Sequence, residues 1–230
     1  VAIFVGTNLE GGESLATAGN LSDYLWENFG LRPNNDTIFD LQATVQSPFN
    51  VAAGDFGQHY TSEAFIEGDA LVFSLAHSID IAEEAPANVT VTEIVRSNPS
   101  AYQKTSLDYS VELTDADISQ AEGDNTGPFV LGASAVNSET GARVIIFGSD
   151  SLLYNQYEAL GAFGIRNIDG ALRAIAWSSG FSDFFESIPR VFSQPTPQDE
   201  PLFATDQQLR QINFIAVFVL PFGLLALGAL

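Results

Sequence analysis

The sequence predicts an α/β fold, an open and mostly parallel sheet flanked by helices, and three features of residues 143–180 predict it. Arg143-Val144-Ile145-Ile146-Phe147 is a β-branched apolar run without alternation, which suits a strand buried on both faces. Gly148-Ser149-Asp150-Ser151 follows at once, the small and turn-forming residues expected at a strand's carboxyl end. Asn167 then offers an N-cap to a helix with Ile168, Leu172, Ile175 and Ala176 on one face, and Gly180 stands where it stops. In such an architecture a ligand sits at the loop end of the strands.

The elements before this block are read in the same way. Val1 to Val5 is a buried strand ending in Gly6, and residues 7–19 are a loop. Leu21, Leu25 and Phe29 lie four apart between Asn20 and Gly30, the spacing of a short amphipathic helix. Leu31 to Asp36 is a turn and Thr37 to Leu41 is extended. Gln42 to Tyr60 has no period and reads as loop with short strands, and Glu63 to Glu67 as a helical turn. Ala70 to Ala76, Val89 to Val95 and Phe129 to Val136 are strands. Asn137 to Gly141 is a hairpin-like link into Arg143.

After Gly180 the composition changes. Pro189, Pro195, Pro197 and Pro201 mark an extended spacer, and Ile212 to Leu230 is a run of nineteen residues without a charge. As a helix that run spans about 28 Å, close to the hydrocarbon thickness of a bilayer. The expected organisation is therefore a globular domain over 1–188, a proline-rich spacer over 189–208 and a single transmembrane helix over 209–230. Arg210 alone would place the globular side in the cytoplasm, but one arginine is a poor vote. The chain has no methionine, and it opens directly on a buried strand, some of whose neighbours are expected upstream, so it reads as a processed or partial polypeptide.

Composition narrows the function. A net charge of −21 repels nucleic acid and anionic headgroups, so no nucleic-acid role is expected. The absence of cysteine removes disulfides, thiolate metal sites and cysteine nucleophiles. No G-x-x-x-x-G-K-[ST] sequence is present, so the chain is not itself a P-loop ATPase. The acids between Glu112 and Asp124 do not follow an EF-hand spacing and read as a solvated loop. His59 and His77 read as surface or packing residues. Gly148-Ser149-Asp150-Ser151 lacks the G-x-S-x-G elbow, so it reads first as a turn whose hydroxyls and Asp150 hold the loop. Its functional reading is a binding loop of Ser149, Asp150, Ser151, Tyr154 and Asn155 for a polar solute or glycan. No catalytic residue, metal site or cofactor is expected.

Several blocks together resemble a known family. They are the helix ending in Phe29-Gly30, the return Leu31 to Asp40, Ser97-Asn98-Pro99-Ser100, and an acidic stretch closing in Gly127-Pro128. They continue with Arg143 to Ser151, Asn155, Asn167-Ile168-Asp169 and Ala176-Trp177, then the spacer and the uncharged tail. In this order the chain resembles the GldG-like auxiliary components of ABC-type transport systems associated with gliding motility. The resemblance implies a glutamine-amidotransferase-like α/β domain without the catalytic cysteine, outside the cytoplasm, held at the cell membrane by one C-terminal helix. It implies a non-enzymatic interaction subunit whose partners are membrane proteins of a transporter or surface complex, with the bilayer contacted through residues 212–230. A carbohydrate- or polar-solute-binding module on the same fold is the alternative.

Overall fold

The computed structural model describes residues 1–8, 13–14, 20–105 and 107–181. The proline-rich spacer and the uncharged tail, 189–230, lie outside the described residues. Among the described residues no helix is long and apolar enough to cross a membrane.

In chain order the first strands are β1 (Ala2–Phe4), β2 (Thr7–Asn8) and β3 (Glu13–Ser14), followed by helix α1 (Leu21–Phe29). Then come β4 (Leu31–Pro33), β5 (Thr37–Phe39), β6 (Thr44–Val45), β7 (Ser47–Ala53), β8 (Asp55–Phe56) and β9 (Leu71–Ser74). The rest are β10 (Ile79–Ile81), β11 (Val89–Arg96), β12 (Tyr102–Lys104), the short α2 (Asp115–Ile118), β13 (Val130–Asn137), β14 (Arg143–Phe147) and α3 (Asn167–Ser179). Two 3-10 helices, Ser151–Leu153 and Asn155–Phe163, join β14 to α3.

The main sheet has five strands in the order β1-β14-β13-β11-β8. Only β1 and β14 run parallel; β13 lies antiparallel to β14 and to β11, and β11 lies antiparallel to β8. The expected open, mostly parallel α/β sheet is therefore corrected to a mostly β fold with mixed sheets. Strands hold 32% of the described residues and helices 21%, so strand pairing dominates the architecture. The physical reason is visible in β14. Its unbroken apolar run reports burial on both faces, and burial on both faces does not fix the direction of a neighbour. The turn over 137–142 does fix it, because a short link returns the chain antiparallel. That hairpin forms as the residues indicate, with Val136 opposite Arg143 and Gly132 opposite Phe147.

Both faces of the main sheet are covered. Ile145 and Phe147 pack with Phe73, Ile94, Ala171, Ala174 and Trp177 on the α3 side. Val144 and Ile146 pack with Leu25, Phe29, Leu31, Ile79, Ala133 and Ala135 on the α1 side. Helix α1 buries Leu25 and Phe29 and ends at Gly30, whose φ of 66° is the left-handed geometry that glycine adopts without cost. Smaller sheets surround this core: β6-β7-β9 together, and the pairs β4 with β10, β5 with β12 and β2 with β3.

Helix α3 departs from expectation in which face it buries. Gly170, Ala171, Ala174 and Ala176 are buried, whereas Leu172 and Ile175 are 52% and 45% exposed. Small side chains let the helix lie close on β9: a Cβ added at Gly170 would meet Leu71 at 3.0 Å. A ranking by side-chain size picks the wrong stripe here, because close approach favours the small one.

Asn167 is not an N-cap either. It is the first helical residue, and its side chain turns sideways to β9.

Candidate functional site

The carboxyl ends of the parallel pair β1 and β14 lead into the two segments that build the site. After β14, the Gly148 amide donates to Leu131 and its carbonyl accepts from the His77 amide at 2.7 Å. The next residues run beside β9. The Ser149 hydroxyl donates to the Ser74 carbonyl (2.7 Å), and the Ser151 hydroxyl donates to the Val72 carbonyl (2.9 Å) while accepting from the Ser74 amide (3.0 Å). Asn167 completes the row, its amide donating to Val72 O and its carbonyl accepting from Val72 N, both at 2.7 Å. The other edge of β9 pairs with β7. Three side chains thus stand where a neighbouring strand would be, and they satisfy backbone groups that would otherwise be buried unpaired.

This arrangement settles where each residue of the expected binding loop lies. Ser149 and Ser151 are fully buried and turned inward on β9. Asn155 is exposed, and Tyr154 is 42% exposed. Partial burial, and then its hydrogen bond to Asp150, raise the Tyr154 phenol above its usual range. Asp150 packs against the turn after β1: a Cβ at Gly6 would lie 2.8 Å from its Oδ2. The five residues therefore do not converge on one ligand.

A different group does converge. Thr7, Asp36, Thr37, His77, Asp108 and Tyr109 line a cavity of about 230 Å³. His77 follows β9, Thr7 opens β2, and Asp36 closes the turn before β5. His77 is 1% exposed, and its Nε2 lies 2.6 Å from Thr7 Oγ1. Its Nδ1 has no hydrogen-bond partner and sits 3.8 Å from Asp36 Oδ1. Asp36 is held by the Ser78 amide (2.9 Å), the Ser78 hydroxyl and Gln103 Nε2 (2.7 Å). The Thr37 and Tyr109 hydroxyls are hydrogen-bonded to each other. Lys104, also on the lining, is engaged by Asp124 at 2.6 Å.

Burial lowers the pKa of His77 and outweighs the opposing pull of Asp36 and Asp150, so the ring is neutral near pH 7. Asp36 beside Nδ1 favours the tautomer that carries its proton there, which leaves Nε2 to accept from the Thr7 hydroxyl. The order hydroxyl, imidazole, carboxylate is that of an activated nucleophile. The distances argue otherwise: 3.8 Å is beyond the roughly 3.2 Å reach of a base-orienting hydrogen bond, and a lowered pKa weakens the base. The geometry suits holding a polar group better than transferring a proton.

Sequence reasoning missed this group. His77 was expected on the surface or in packing, and it proves to be buried at the cavity wall. Asp36 is 41 residues away, and no local spacing links the two. The available signal was a histidine placed directly after the buried strand Ala70 to Ala76.

His59 differs in kind. Its Nδ1 accepts from the Thr61 amide at 3.1 Å, and its ring stands edge-on to Trp177 at 4.7 Å. Burial first, and Arg173 second, lower its pKa to about 4. The unfolded chain, with His near 6.5, then binds more protons than the native state. His59 thus contributes stability in full above pH 6.5 and loses it progressively as pH falls toward 4. The urea midpoint is expected to drop between pH 7 and pH 5, and His59→Gln to shrink that drop. A drop of unchanged size in the variant would exclude His59 as the cause.

The outer face of α3, with Leu172 and Ile175, is the remaining feature. Among the described residues no group of three or more histidines and carboxylates is placed to hold a metal ion.

No family model matches the sequence, and neither does any curated protein sequence. A solved structure described as "mmIFT52 N-terminal domain" matches with a TM-score of 0.45 and 12% identity, covering 68% of this chain. The match spans 56% of that structure's own length.

Proposed function

We propose that the chain is a membrane-anchored, non-enzymatic interaction subunit of an ABC-type transport or gliding-motility-type surface system. In this reading residues 212–230 lie in the bilayer, the globular domain stands outside the cytoplasm on the proline-rich spacer, and α3 meets a partner protein. The observation that carries the reading is α3's outer stripe. Leu172 and Ile175 lie three apart on a helix whose sheet-facing side is already filled by small residues. Paired apolar side chains on a chain of charge −21 are the kind of surface that partner proteins cover. The uncharged tail and the GldG-like blocks support the membrane setting.

The test is a pull-down of the full chain from its own membranes, beside the double variant Leu172→Glu, Ile175→Glu. Both positions face outward, so the variant's melting temperature is expected within about 4 °C of the parent. Recovery of membrane subunits is expected to fall at least tenfold. Equal recovery of the same subunits by a folded variant would overturn the reading.

A further inference from the structure

We infer that the open edge of β11 between Val89 and Glu93 is a docking site for an extended, basic segment of a partner protein, which joins the main sheet as a further strand. The inference goes beyond the α3 reading and does not depend on it, because it uses a different element and a different chemistry.

The edge follows from the hydrogen-bond phase of the sheet. In an antiparallel pair, residues alternate between bonding the facing strand and turning their N–H and C=O away from it. The Ser138 amide donates to the Asn88 carbonyl at 2.8 Å, one step beyond the pairing of Val89 with Asn137. Thr90 and Thr92 therefore bond β13, and Val89 and Val91 turn their backbone groups to the other side. Strand β8 covers that side only at Val95 and Arg96, and Gly57 N bonds Ile94 O at 2.9 Å. The Val89 amide donates to the Pro86 carbonyl at 3.0 Å. The Val89 carbonyl and both backbone groups of Val91 have no partner among the described residues. An unpaired edge is a template for another strand unless proline, lysine or a bulge guards it. No proline or lysine occurs between Val89 and Ile94, and the ladder becomes irregular only after Glu93.

The surroundings select the occupant. Val89 and Val91 pack against the core on the α1 side, while Thr90 is exposed and Thr92 half-buried on the opposite face. A joining strand fits with a β-branched side chain beside Val91 and polar ones beside the threonines. Its charge is set at the Pro86 end. Pro86 closes the edge at Val89 and also lines an open concavity with Trp26, Glu27, Asp80, Glu83 and Glu84. Arg32 stacks on the Trp26 ring at 4.5 Å, which leaves four carboxylates to one base. A strand running along β11 toward Val89 is led to those acids, and lysine or arginine at its end complements them. A second copy of the chain would instead bring a further charge of −21 against them.

The experiment titrates the full chain, in a zwitterionic detergent, with peptides of about ten residues that alternate valine or threonine with lysine or arginine. Fluorescence anisotropy reads the affinity, and hydrogen exchange reads the Val91 amide. Saturable binding of at least one basic peptide is expected, with exchange at Val91 slowed at least about tenfold. Binding is expected to weaken at least about fivefold between about 0.1 M and about 1 M salt. The controls are a peptide with glutamate in place of the bases and one N-methylated along one edge, and neither is expected to bind. Val91→Pro removes the central N–H at an edge position, where proline is tolerated, and is expected to weaken binding at least about tenfold. Glu83→Gln with Glu84→Gln, both exposed, is the second variant if Val91→Pro does not fold, and is expected to weaken binding several-fold. No binding by any basic peptide, equal binding by either control, or undiminished binding in a folded variant would overturn the inference. So would a Val91 amide that exchanges as slowly as that of Thr92 before peptide is added, because the chain itself or a second copy would then cover the edge.

Discussion

Gly148→Ala is expected to be the most damaging single methyl in the described domain. A Cβ at this position would lie 1.8 Å from the His77 carbonyl oxygen and 2.9 Å from its carbon. No rotamer relieves a clash between backbone atoms, so one of the two chains must move by more than 1 Å. That movement breaks the bond from His77 N to Gly148 O and strains the one from Gly148 N to Leu131 O. Leaving such buried groups unpaired costs about 1–3 kcal/mol each, so the total reaches about 4 kcal/mol or more. For a domain of this size the melting temperature is then expected to fall by about 8–16 °C. Thermal unfolding followed by circular dichroism measures this, and a fall of less than about 4 °C would show that the close approach is not as drawn.

Asn167→Ala is expected to cost about 2–4 kcal/mol, because it removes a buried side chain that both donates to and accepts from Val72. The Val72 amide is left without a partner, whereas its carbonyl keeps Ser151. That sharing makes a stronger test available. Ser151→Ala alone leaves Asn167 on the same carbonyl, so the two losses are expected to be non-additive by at least ~0.5 kcal/mol in a double-mutant cycle. Strictly additive urea stabilities would mean that the two side chains do not hold β9 together. Asn167→Asp is expected to be no milder than alanine, since a carboxylate cannot donate to the Val72 carbonyl.

These two residues also show what the sequence reveals and what it withholds. Gly148 and Asn167 both mark element boundaries, and the boundaries fall where composition puts them: β14 ends at Phe147, and α3 runs from Asn167 to Ser179 with Gly180 as its C-cap. Period and punctuation are local properties, so they are legible. The direction of β14's neighbours is not legible in its own residues, because a buried strand has the same composition whichever way its partners run. Nor is the buried side of α3, where two apolar faces compete and close approach decides for alanine and glycine. Ser149 and Ser151 were read in part correctly as holding residues. That they hold β9, more than 70 residues away, required the fold. The cavity was least visible of all, since Thr7, Asp36, His77 and Tyr109 come from four distant stretches and share no motif.

The parallel contact of β1 has a kinetic consequence. The amino group of Val1 reaches the carbonyl of Arg143, 142 residues along the chain, whereas the β13–β14 hairpin closes through a turn of a few residues. Closing the longer loop costs about 3 kcal/mol more in chain entropy than closing the short one. Strand β1 should therefore be last to join the sheet and first to leave it. Its amides would exchange with solvent through partial openings while those of β13 wait for global unfolding.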